Sequence, residues 1–179
     1  MKCKQNRYLA LAISLAVGSF CTNVYAQVTC GSGFAAGATD TACGDLSIAN
    51  GPNATAVGYQ AYAGVNSTAT GDNSYAKNNS TATGYNSNAY NNSTATGYNS
   101  NANNHATATG NYSNAISYST ATGNNSNAFT YSTATGNASY AANNSTASGY
   151  SSFANNSSTA TGDASRFRSS SIIHPCSTR

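Results

Sequence analysis

Two cysteines 13 residues apart and a recurring pair of threonines are the side chains here whose types and spacing promise chemistry. Cys30 and Cys43 could form a disulfide in any fold that lays residues 13 apart side by side. The threonines belong to a repeated Ser-Thr-Ala-Thr-Gly, as at 80–84, 93–97 and 119–123, and each copy offers two hydroxyls on alternate residues. The full set is Thr68 and Thr70, Thr81 and Thr83, Thr94 and Thr96, Thr107 and Thr109, Thr120 and Thr122, Thr133 and Thr135, and Thr159 and Thr161. Such rows suit hydrogen bonding to water, to a ligand or to another chain. They do not suit catalysis, because the groups that would activate them are missing. The four carboxylates are Asp40, Asp45, Asp72 and Asp163, so a carboxylate pair, a Ser-His-Asp set and a histidine-rich metal centre all lack material. His105 replaces the Ser or Asn that usually precedes the motif and His174 sits near the end; both read as surface substitutions. The Gly- and Asp-rich nonapeptide that holds calcium in other parallel β-rolls does not occur either. The Asn-x-Ser/Thr sequons, such as Asn79-Ser80-Thr81, follow from composition and carry no reading of glycosylation. The expectation is a non-enzymatic protein without cofactor or metal.

What must position these side chains is a periodic array. Gly58, Gly71, Gly84, Gly97, Gly110, Gly123, Gly136, Gly149 and Gly162 follow one another at intervals of 13. A weaker Ser-x-Ala echo lies between them, at Ser87, Ser100, Ser113 and Ser126, so serines alternate at spacings of 7 and 6. A short fixed period made of two half-units is the mark of a β-solenoid. Composition agrees: only 6% of residues are charged and large aliphatics are scarce in the repeats, which suits a narrow coil filled by small side chains better than it suits disorder. Strand alternation then turns Ser, Ala and Gly inward and both Thr outward. Buried Ser hydroxyls must find backbone partners, since leaving one unpaired costs about 1–3 kcal/mol. The closing glycine suits a turn with positive φ, and Asn pairs such as Asn78-Asn79, Asn91-Asn92 and Asn143-Asn144 suit the opposite corner, where they can also stack in ladders.

Aligning Gly31 and Gly44 with the repeat glycines puts Cys30 and Cys43 in the column later held by Thr70, Thr83 and Thr96. Coils about 4.8 Å apart fall within the roughly 4.4–6.8 Å between Cα atoms that a disulfide accepts. The two readings are a staple capping the first coils and a pair of free buried thiols; Cys176 is left over. Tyr59, Tyr85, Tyr98 and Tyr150 follow repeat glycines, while Tyr75, Tyr140 and Phe153 fall mid-way in Ser-x-Ala, facing outward. They serve either as a recognition surface or as stacks that steady neighbouring coils.

The flanks divide the chain further. Residues 1–26 read as a secretory signal peptide: a basic start, an apolar run from Tyr8 to Phe20, and Val24-Tyr25-Ala26 before a cut at Gln27. That run is too short to stay as a membrane span, so the mature chain is expected to have none. Residues 27–43 read as N-terminal capping coils, 44–165 as the repeat array, and 166–179 as a disordered or cut-short basic tail. Beyond the leader, Lys77, Arg166, Arg168 and Arg179 balance the four Asp residues, leaving no basic face for a nucleic acid or an anionic membrane.

Residues 44–58 read G-x-x-S-x-A-x-G-x-x-[SA]-x-A-x-G, two half-coils of seven. This stretch, and with it the array over 44–165, resembles the YadA-like heads of trimeric autotransporter adhesins, whose motif is S-V-A-[IL]-G linked to S-x-A-x-G. The resemblance implies an all-β, left-handed parallel β-roll, a homotrimer, and display on a Gram-negative cell surface or outer membrane to bind host extracellular-matrix or cell-surface ligands, or to self-associate. Two departures stand out. The motif's aliphatic positions are Thr in nearly every coil, with Ile48 and Val57 as exceptions. A heptad stalk and a C-terminal set of barrel strands are also expected to be missing. The Thr-x-Thr rows, for their part, resemble those of some β-helical antifreeze proteins. The sequence therefore carries two functional expectations, an adhesin-type head and, as the alternative, a secreted ice-binding solenoid.

Overall fold

The computed structural model describes residues 28–168; the leader, Cys3, Cys21, His174 and Cys176 lie outside the described residues. Strands of two or three residues wind into two parallel sheets of 11 strands each. One sheet runs from Val28–Cys30 through Thr81–Thr83 to Thr159–Thr161, and the other from Phe34–Ala35 through Tyr75–Lys77 to Arg166–Phe167. Each strand pairs in register with its equivalent one coil on, so that Thr81, Ala82 and Thr83 lie against Thr94, Ala95 and Thr96. The chain is thus a parallel β-solenoid, and 11 coils at about 4.8 Å make a rod on the order of 50 Å long.

Coil length follows the corner chemistry. Thr41 pairs with Thr55 and Ile48 with Tyr62, a step of 14, whereas from Thr55 and Thr68 onward the step is 13. In the longer coils both half-turns pivot on glycine, Gly44 and Gly51, with φ of 131° and 138°. Further on, the second corner instead uses two consecutive left-handed residues, Asn78 and Asn79 at 61° and 58°, and closes in one residue fewer. Asn occupies that conformation more readily than most residues because its short amide bonds locally. The amides then join coil to coil: Asn53 donates to Asn66 at 3.0 Å and Asn66 to Asn79 at 3.1 Å.

The core resolves the puzzle of a fold without large aliphatics. Strand side chains alternate exposed, buried, exposed in the first sheet, and the buried members are alanines such as Ala82, Ala95 and Ala108. The bulkiest fully buried side chains are Asp40 and a set of serines. At the glycine corner each inward Ser donates to the glycine carbonyl three residues back, as Ser74 does to Gly71 at 2.7 Å and Ser87 to Gly84 at 3.0 Å. At the Asn corner the serines form an internal ladder, in which Ser80 N donates to Ser67 Oγ and Ser93 N to Ser80 Oγ, both at 3.2 Å. Asp40 holds the equivalent place in an early coil, accepting from Ala54 N at 3.0 Å and Gly37 N at 2.7 Å. The glycine corner is as tight: a Cβ on Gly84, whose φ is 124°, would sit 2.6 Å from the Gly97 carbonyl oxygen.

The array reaches further than its sequence pattern. Arg166–Phe167 pairs with Phe153 and Ala154, so the first residues assigned to the tail complete the last coil of the second sheet. Backbone pairing tolerates Phe167 where Ala stands in earlier coils because the end of the stack leaves it exposed. The remainder of the tail lies outside the described residues.

Candidate functional site

The first sheet gathers all 14 candidate threonines onto one outer face. Thr68, Thr81, Thr94, Thr107, Thr120, Thr133 and Thr159 form one column, at the first residue of each strand. Thr70, Thr83, Thr96, Thr109, Thr122, Thr135 and Thr161 form the other, at the third. Inward alanines at each strand centre force these threonines outward, and parallel in-register pairing keeps the columns straight. Thr122, for instance, lies between Thr109 on one side and Thr135 on the other. Neighbours within a column lie about 4.8 Å apart and the columns about 6.7 Å apart, twice the strand rise. Ser148 is the one interruption of the second column, facing Thr135 and Thr161. Among the described residues none of these 14 hydroxyls bonds to another protein group. The face therefore presents an ordered row of unengaged donors and acceptors, each beside a methyl group.

Cys30 and Cys43 continue the second of these columns toward the N-terminus, paired across adjacent strands with Cα atoms 4.5 Å apart and joined as a disulfide. The bridge ties the first coil to the second. Val57 follows in the same column and then Thr70. The cysteines thus lie at one end of the Thr face rather than within it.

The second sheet has no such uniformity. Its outward positions hold Tyr62, Tyr75, Asn88, Asn101, Asn114, Asn127, Tyr140 and Phe153 in succession. Tyr62 stacks on Tyr75 with centroids 4.6 Å apart, and Tyr140 on Phe153 at 4.8 Å. Arg168 lies over the Phe153 ring at 5.3 Å. Burial, with Tyr75 nearby, raises the Tyr90 phenol above its ordinary value. At the glycine corner Tyr85 and Tyr98 stack at 5.3 Å, and the hydrogen bond with Tyr112 raises the Tyr98 phenol.

Among the described residues no cluster of His, Cys, Asp or Glu could hold a metal ion. His105 lies instead at the Asn corner with its ring 4.8 Å from Tyr118, which in turn stacks on Tyr131 at 5.1 Å. Sequence reasoning placed His105 on the surface but missed this stack, although 105, 118 and 131 share one 13-residue column. No helix among the described residues is long and apolar enough to cross a membrane. No family model matches the chain, and neither does any curated protein.

Proposed function

We propose that this chain is the head of an exported, surface-attached adhesin-type protein, which assembles as a homotrimer and binds matrix or cell-surface ligands through a repetitive β-roll. One observation carries the reading: the rod has one uniform face and one varied face. A symmetric assembly of identical chains favours a regular surface whose groups recur at the same axial repeat in every copy, and the Thr columns supply one. Recognition favours exposed aromatics with few rotatable bonds, and the second sheet and the corners supply these. Repetition along the rod lets weak contacts add by avidity. The G-x-x-S-x-A-x-G pattern of residues 44–58 supports the same assignment. Sedimentation of the purified chain is expected to give a trimer that Thr96→Tyr with Thr109→Tyr dissociates, and the trimer is expected to coat beads that then adhere to matrix or cells. A monomer indifferent to those substitutions would count against it.

The unengaged Thr hydroxyls favour a second reading, an ice-binding face in which both columns order water. This predicts a monomer whose solution shows thermal hysteresis, lost on Thr96→Tyr. A trimer that buries the columns would exclude it.

A further inference from the structure

The array departs from its own rule in three consecutive coils of the Asn corner. The column that runs Asn53, Asn66, Asn79, Asn92 continues as His105, Tyr118 and Tyr131 before Asn144 restores it. All three substitutes keep the left-handed backbone, with φ of 59°, 59° and 57°. Asn and His tolerate that conformation, whereas Tyr is strained in it, and Thr130, just before Tyr131, is a β-branched residue at φ 53°. The coil does not require these rings, because Asn in the same column makes an amide ladder. Strain retained in consecutive coils, at exposed positions, is a ground for inferring function.

The chemistry around the corner narrows the partner. Tyr118 and Tyr131 are 54% and 61% exposed, and their rings lie within 5° of parallel. Stacked in this way they cover each other's faces and leave edges and phenol hydroxyls to the outside. Beside them, in the outer column of the second sheet, Ile116 pairs with Asn103 on one side and Phe129 on the other. The amide oxygen of Asn103 is buried and has no hydrogen-bond partner among the described residues. From Asn78 to Gly162 the chain holds no Asp, Glu, Lys or Arg, so an ionic partner finds no counter-charge there. A fitting ligand is uncharged, carries hydroxyls that exchange hydrogen bonds with the exposed phenols and the Asn103 amide oxygen, and repeats along an axis.

We propose that this corner binds an uncharged glycan chain lying along the rod, with Tyr118 and Tyr131 as its central contacts and the Asn103 side chain rotating to bring its unpaired amide oxygen to a sugar hydroxyl. The coil repeat of about 4.8 Å is close to the length of one sugar residue in an extended chain. This names the ligand class of the attachment head and rests on that reading.

The test uses the full chain with insoluble cellulose, chitin and β-1,3-glucan, and with alginate and collagen-coated beads as comparators. The chain is expected to be retained on at least one neutral polysaccharide and displaced by soluble oligosaccharide of the same linkage. Tyr118→Asn with Tyr131→Asn, which restores the array's own residue at both sites, is expected to weaken retention at least tenfold while the urea midpoint holds or rises. No retention on any neutral polysaccharide overturns the proposal, as does retention that the double variant leaves intact, or retention confined to alginate or collagen. The two readings separate cleanly. A trimer that adheres equally well with both tyrosines replaced defeats the glycan inference alone, whereas a monomer that is held on a neutral polysaccharide but does not adhere to matrix or cells defeats the attachment reading alone.

Discussion

Ala106→Ser should make this protein more stable, although it adds a polar group to a fully packed core. In the ladder at the Asn corner each serine hydroxyl accepts the amide one coil on, as Ser119 Oγ does from Ser132 N and Ser132 Oγ from Ser145 N, both at 3.2 Å. Ala106 has no hydroxyl, and the amide it should receive, that of Ser119, makes no hydrogen bond among the described residues. Ser119 is 2% exposed, so solvent does not substitute. A buried unpaired donor costs about 1–3 kcal/mol. A serine at 106 would accept from Ser119 N and donate to the Asn104 carbonyl, as Ser93 Oγ donates to that of Asn91 at 3.3 Å. Space is not the obstacle, since every flanking coil holds a serine there at similar burial. Recovering most of the penalty, less the cost of burying a new hydroxyl, gives about 1 kcal/mol of stabilisation. With a urea m-value of roughly 1–3 kcal/mol/M, the midpoint should rise by about 0.3–1 M. Ser132→Ala, which strips the acceptor from Ser145 N, should lower it by at least as much. Equal midpoints for parent and Ala106→Ser, alongside a clear loss in Ser132→Ala, would refute the claim that the Ser119 amide is unpaired.

Two further outcomes follow from the corners and the cap. Gly84→Ala is expected to prevent folding or to cost several kcal/mol, because its Cβ would meet the Gly97 carbonyl oxygen at 2.6 Å on a backbone at φ 124°, while Gly162→Ala, with nothing within 4 Å, should cost only about 1–2 kcal/mol of backbone strain; circular dichroism and urea midpoints of the pair check this. Cys43→Ser should remove about 3 kcal/mol from the first coil, seen as faster hydrogen exchange at Thr41 and Ala42 with protection beyond Thr68 unchanged, and uniform loss along the rod would contradict the local cap.

The period makes most of this architecture legible in the sequence, because a solenoid has one local rule applied many times. Register, inward Ala and Ser, the glycine and Asn corners, and the proximity of Cys30 to Cys43 all follow from residues 13 apart being neighbours. What stayed hidden depends on the departures from that rule. Asp40 reads in sequence as a stray charge, yet it holds the serine place in the ladder, with two backbone amides satisfying its carboxylate. The unpaired amide of Ser119 is a consequence of an alanine 13 residues earlier, and no local motif signals it. The His105–Tyr118–Tyr131 stack lies outside both repeated motifs, in the corner positions where composition looks most permissive.

The Thr face is the place where geometry constrains function most tightly. Hydroxyls in one column are set by the coil repeat of about 4.8 Å, well beyond the roughly 2.7–2.8 Å of an O–H···O bond. Those on alternate residues of one strand, such as Thr120 and Thr122, stand about 6.7 Å apart. Neighbouring threonines therefore cannot satisfy one another, and among the described residues no other group bonds to these hydroxyls, so each takes its partner from outside residues 28–168. A dry interface like that of a Val and Ile face is thereby excluded, since each unpaired hydroxyl buried there would cost about 1–3 kcal/mol. Whatever covers these columns, whether ordered water, a ligand or two further copies of the chain, must bring hydrogen-bonding groups at the same axial repeat. Another copy whose coils align with these does so by construction, and bridging waters can fill the remaining gaps at little loss of affinity. A trimer built this way would be wetter and more readily dissociated than one closed by aliphatic side chains, so its dependence on chain concentration should be measurable by sedimentation.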